Sequence, residues 1–158
     1  VIDELYSARI LTLAANMPHA GRLTAPDASS HKTAKLCGST ITVDVSLDDE
    51  GRVSAFAQDV KACALGQAAA AVLGAQIIGA TPDEIDAARL SLRAMLKSEG
   101  APPAGRFKDL IVLQPVKAFP ARHASTLLAF EAASEAARNA ALAAQNTQTS
   151  RTSPAVAG

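Results

Sequence analysis

The stretch CGSTITVDVSLDDEGRVSAFAQDVKAC, residues 37–63, decides the fold. After Cys37 the residues GSTITVDVSL alternate polar with β-favouring side chains, placing Ile41, Val43 and Val45 on one face of a strand. DDEG then supplies turn chemistry, and Arg52 to Val60 reads as the returning strand of a hairpin. Cys37 precedes the outgoing strand and Cys63 follows the return. When antiparallel strands pair, their outer ends meet, so both thiols are expected at the same end of the sheet.

Working outward, Ala64 to Ile78 has high helical propensity, with alanines allowing close approach around Leu65, Val72, Leu73 and Ile77. Cys63 falls at the N-terminal edge of that helix, where free backbone amides and the positive end of the dipole favour a thiolate, with Lys61 close enough in sequence to contribute a positive field whose direction the sequence leaves open; the competing reading is a neutral core thiol. Thr81, Pro82 and Glu84 form a helix-start signal: a cap, a first-turn proline and the return partner of a capping box. Ile85, Ala88, Leu92, Met95 and Leu96 supply its inward stripe, and Glu99, Gly100, Pro102 and Pro103 end it. Phe107 to Val112 reads as a short helical segment, and Pro115 and Pro120 divide the region beyond it into short turns. A last alanine-rich helix is expected from Arg122 or His123 toward Gln145, and residues 146–158 as a mobile tail.

Upstream of the hairpin, Ile2, Leu5, Ile10, Leu11 and Leu13 fit an amphipathic helix broken near Met17 to Gly21. Residues 18–31 read as an ordered loop placed to cover the first cysteine. The expectation is one α+β domain over residues 1–145, a small, mainly antiparallel sheet against several helices.

Lys+Arg and Asp+Glu both number 15, which argues against an extensive nucleic-acid surface. Aromatic residues are 3% of the chain and tryptophan is absent, so an aromatic stacking platform has little to draw on. Two cysteines in a chain of this length suggest reduced thiols rather than a disulfide framework. No apolar run reaches membrane-spanning length and no secretory signal pattern opens the sequence, so no membrane association and a cytoplasmic location are expected.

Two thiols at converging strand ends can begin a zinc or iron-sulfur site, but four donors are the usual complement. His31, His123 and Asp59 are candidate further donors, each with an ordinary alternative as a loop, cap or surface group. No nucleophile-elbow sequence supports a hydrolase, and no phosphate-binding glycine loop supports a nucleotide enzyme.

The motifs YSARIL (6–11), PDAS (26–29), KLCGS (35–39), KACALGQA (61–68) and PARHASTLL (120–128), in this order, resemble the NifU, IscU and SufU-like iron-sulfur cluster scaffold family over roughly residues 3–144. The long interval between Cys63 and PARHASTLL is closer to the SufU-type branch. The resemblance implies the small three-stranded sheet of IscU/SufU-like domains and makes Cys37 and Cys63 the first and second conserved cysteines, with iron or an iron-sulfur cluster as cargo. It also exposes substitutions. Ser39 stands where the family has an aspartate, and Ser125 where it has a third cysteine. Ala124 occupies the place of an ISC-type histidine, leaving His123 as an offset donor. Serine hydroxyls are weak ligands near neutral pH, so the resemblance implies a modified two-cysteine site holding iron and sulfide transiently, with His31, His123, solvent, a small thiol or a partner completing coordination. Zinc is the competing metal.

On this reading the chain is a scaffold rather than a turnover enzyme, working with a cysteine desulfurase and with iron-sulfur acceptor or assembly proteins. Two alternatives stand beside it. One is SUF-type sulfur transfer from a cysteine desulfurase, with a persulfide on Cys63; the other is a metal-independent assembly adaptor whose partner binding survives loss of both cysteines.

Overall fold

A computed structural model describes residues 6–157, with side chains to residue 146. Three strands, β1 (Ala28–Ala34), β2 (Ser39–Leu47) and β3 (Val53–Lys61), form an antiparallel sheet in that order. The hairpin follows the alternation in the sequence: Ile41, Val43 and Val45 are buried on the helix-facing side, and β2 pairs with β3 from Thr40↔Lys61 to Leu47↔Val53, with a bulge at Ser46/Leu47. Asp48 closes the turn, its carboxylate accepting from the amides of Glu50 and Arg52, while Gly51 takes the positive φ of 79° that an L side chain resists.

The three-stranded sheet implied by the resemblance is present, but the position of its first strand was not legible in the residues. Residues 28–31, expected in a loop, belong to β1, which pairs with β2 from Ala28↔Val45 to Ala34↔Ser39. Its sequence ASSHKTA has little strand propensity, so pairing with the committed β2 determines its conformation. Residues between helix α1 (Ala8–Ala15) and β1 form the true loop, and it covers a different place from the one expected. It crosses the outer sheet face at Asp44, where Arg22 donates twice to the carboxylate at 2.7 and 3.0 Å, joined by the Leu23 amide and the Ser29 hydroxyl. Arg22 above all, with Ser29 and the Leu23 amide, holds the fully buried Asp44 at about 2, against the opposing effect of burial. Cys37 is left exposed.

Helices cover the other face. α2 (Ala64–Gln76) is central: Ala68 through Leu73 are all buried, between the sheet, α1 and the last helix. α3 (Pro82–Lys97) begins with the full capping box, Thr81 Oγ1 accepting from the Glu84 amide and Glu84 accepting from the Thr81 amide; Ile85, Ala88, Leu92, Met95 and Leu96 face inward. A 3₁₀ helix (Gly105–Ala118) comes next, kinked at Phe107, longer than the segment expected to stop at Val112. Phe107, Leu110, Leu113 and Val116 are its buried residues, a spacing of three that fits three residues per turn and carries the helix through Pro115. After a turn at Pro120–Arg122, α4 (His123–Ala157) lays buried alanines from Ala129 to Ala140 against β1, β2, α2 and α3, and Phe130 meets Phe107 edge-on at 5.3 Å. The expected mobility of 146–158 falls on positions whose side chains, from 147 onward, lie outside the described residues, as do Ile2 and Leu5. No helix among the described residues is long and apolar enough to cross a membrane.

Candidate functional site

The β1–β2 turn, the end of β3 and the first turn of α4 meet at one end of the sheet. Gly38 makes the turn possible: its φ is 72° and its amide donates to the Ala34 carbonyl, which sets Cys37 at the exposed tip. Ser39 opens β2 on the helix-facing side and is buried. β3 ends at Lys61, two residues later Cys63 becomes the N-cap of α2, half-buried, and its carbonyl accepts from the Gln67 amide. From the far end of the chain α4 delivers Ser125, also buried.

These four side chains form one linked cluster. Cys37 Sγ lies 3.1 Å from Ser39 Oγ, Ser39 Oγ is 3.3 Å from Ser125 Oγ, and Ser125 Oγ is 3.2 Å from Cys63 Sγ. Three such links in series keep the two sulfurs within about 10 Å of each other. The two serines therefore sit between the thiols. The Ser39 hydroxyl and backbone amide, then the Ser125 hydroxyl, hold the Cys37 thiol below its ordinary value, against a partial opposing effect of burial. A thiolate there is an exposed nucleophile and a soft metal ligand.

The histidines are placed elsewhere. His31 pairs in register with Thr42 and its Nδ1 contacts Thr42 Oγ1 at 2.7 Å, on the sheet face opposite Ser39. Asp59, also opposite Thr42 in register, is exposed on that outer face. His123 is buried, with Nε2 donating to the carbonyls of Val116 and Lys117 at 3.0 and 3.2 Å; it fastens the end of the 3₁₀ helix to the start of α4. Neither ring is among the groups hydrogen-bonded to the cysteine–serine cluster, and Ala124 brings no donor. No group of three or more His, Cys, Asp or Glu side chains able to hold a metal occurs among the described residues.

Gly66 is a contributor that residue-type reasoning passed over. A Cβ on it would lie 2.8 Å from Ser125 Oγ, 3.1 Å from the Ser125 carbonyl and 2.9 Å from Ala62 Cβ. The missing side chain lets the first turns of α2 and α4 approach closely enough for Ser125 to reach both Ser39 and Cys63. The only signal in sequence was a glycine in the first turn of an otherwise alanine-rich helix, where it costs about 1 kcal/mol relative to alanine.

Comparison with known proteins agrees with this architecture. Residues 5–109 match the family model for the NifU-like N-terminal domain. Among solved structures, a nitrogen-fixing NifU-like protein (N-terminal) from Brucella abortus is 49% identical, with 88% of this chain and 96% of that one covered and a TM-score of 0.85. A putative iron-sulfur cluster assembly scaffold protein for the SUF system from Fervidobacterium islandicum shares the fold at 21% identity, with 85% and 98% of the two chains covered and a TM-score of 0.77. No curated protein matches the chain.

Proposed function

Because the chain belongs to the NifU-like N-terminal domain family, we propose that it is an iron-sulfur cluster assembly scaffold, holding iron and sulfide transiently through Cys37 and Cys63. The observation that carries the proposal is the convergence of these two thiols, through Ser39 and Ser125, on one solvent-open end of the sheet. Two sulfurs are half the donors of a tetrahedral iron or of a two-iron cluster. The hydroxyls between them are weak donors, and His31 and His123 have other engagements. Retention in the isolated chain is therefore brief, and a partner or an external ligand closes the shell.

The natural partners of such a scaffold are a cysteine desulfurase as sulfur source and an acceptor protein. Anaerobic incubation with iron, cysteine and a desulfurase, followed by iron, zinc and acid-labile sulfide analysis, tests the reading. Iron and sulfide together in wild type, and neither in Cys37→Ser or Cys63→Ser, is the expected result. Zinc alone, or iron and sulfide unchanged in both variants, would remove the cluster role.

One observation favours sulfur transfer as a second reading: Cys37 is exposed on a turn and held toward its thiolate. Its thiolate would attack the terminal sulfur of a desulfurase persulfide, forming a new S–S bond on Cys37 while the desulfurase cysteine leaves as thiolate. Exposure favours Cys37 over the half-buried Cys63, where the sequence places the persulfide. Trapped persulfide mapped to Cys37, without metal retention, supports this alternative; persulfide absent under conditions that modify a competent control counts against it.

A further inference from the structure

The three segments that build the dithiol site carry positive charge and no carboxylate. Residues 31–43, 60–72 and 118–130 contain Lys32, Lys35, Lys61 and Arg122 but no Asp or Glu, and each is bounded by an acid, Asp44, Asp59 and Glu131 respectively. Lys32 is paired with Glu135 at 3.2 Å. Lys35, Lys61 and Arg122 are exposed, and none is engaged by the ion pairs found among the described residues. Each is close in sequence to a member of the cluster: Lys35 two residues before Cys37, Lys61 two before Cys63 at the end of β3, and Arg122 three before Ser125. The closest carboxylate in sequence, Asp59, shares the outer sheet face with Lys61 and also acts on Arg22, so Lys35, Lys61 and Arg122 stand against one carboxylate already shared with another cation.

Exposed cations close in sequence to a site short of soft donors specify what can complete it. The missing ligands must be sulfur, because the hydroxyls of Ser39 and Ser125 compete poorly for iron. They must come from solvent, since Cys37 is open to it. These cations favour a donor that arrives with negative charge. We propose that the Cys37–Cys63 site takes a small anionic thiol of the glutathione type as external ligand, drawn in by Lys35, Lys61 and Arg122. The thiol gives its proton to solvent as its sulfur binds iron, and no oxidant is required. This inference rests on the scaffold reading for the metal-bound step, while the recruitment of the anion can be read on the metal-free protein.

Two measurements test it. In metal-free Cys63→Ser protein, the remaining Cys37 thiolate attacks a disulfide and releases one thiolate, so its rates with glutathione disulfide (anionic) and cystamine (cationic) report the local field. At low salt the anionic-to-cationic rate ratio should be about tenfold higher than in the same protein carrying Lys35→Gln, Lys61→Gln and Arg122→Gln, and should approach the variant's value near 1 M salt, where the screening length is about 3 Å. An equal ratio in the two proteins overturns the proposal. In the second measurement, protein with both cysteines is reconstituted with iron and sulfide in glutathione or in cysteamine, and native mass spectrometry counts the external thiols retained. Glutathione bound with iron and sulfide in wild type, and at least about fivefold less retention in cysteamine or in the triple glutamine variant, is expected. Equal retention in both thiols, retention with no external thiol, or retention only with an acidic partner protein refutes it. If no iron is held under any condition while the disulfide preference persists, the scaffold reading fails and anionic-thiol recruitment stands.

Discussion

Replacing Asp44 with asparagine removes one negative charge at nearly constant volume from a site where the carboxylate is fully buried against Arg22, Ser29 and the Leu23 amide. Its folded value of about 2 lies below the ordinary 3.8, so the charged form is the one that folding favours. That contribution is fully present above the unfolded value and is lost as pH falls through the folded one. The difference corresponds to roughly 2 kcal/mol at neutral pH, dropping to about half by pH 3. Asparagine still offers an acceptor to the Leu23 amide, and the half-exposed Arg22 is rehydrated, so the variant should lose about that amount and no more. For a chain of this size the loss corresponds to a Tm lower by roughly 4–8 °C at pH 7. Because Glu84, Asp86 and Glu135 are also held low by their partners, acid sensitivity of wild type alone is uninformative. The informative quantity is the wild-type minus Asp44→Asn difference, from urea unfolding between pH 3 and 7. A difference that does not shrink toward pH 3 would refute the argument that Asp44 stabilises the fold as a carboxylate.

Gly66→Ala should cost about 1–3 kcal/mol in overpacking, less about 1 kcal/mol of gained helix propensity; it should also lower iron and sulfide retention, and by a smaller factor when Ser125 is already alanine. Equal factors in both backgrounds would show that Gly66 does not act through Ser125. Cys37→Ser should change unfolding free energy by no more than about 0.5 kcal/mol, because the side chain is exposed, while sharply reducing retention; a large stability loss would assign Cys37 a structural role. Ser39→Asp combined with Ser125→Cys should restore a four-donor set and give a cluster that survives thiol-free gel filtration, and no gain over wild type would mean that the serine substitutions are not what limits retention. Thr81→Ala removes the cap of α3 and should cost about 1 kcal/mol in thermal or urea unfolding with retention unchanged.

Local chemistry in the sequence determined the hairpin, the start of α3, the inward stripe from Ile85 to Leu96 and the approach of Cys37 and Cys63 to one end of the sheet, because alternation, capping and antiparallel return are short-range properties. Family membership was legible for a related reason, since its motifs flank those same elements. Tertiary structure decided what depends on a partner distant in the chain. ASSHKTA becomes a strand because β2 offers it a ladder, and that register turns His31 to the outer face. His123 is committed to the Val116 and Lys117 carbonyls because the 3₁₀ helix, buried at every third residue, continues through Pro115 to reach it. Ser125 enters between two thiols, one of them 62 residues away, because Gly66 leaves the space; no window of sequence contains both sides of that contact.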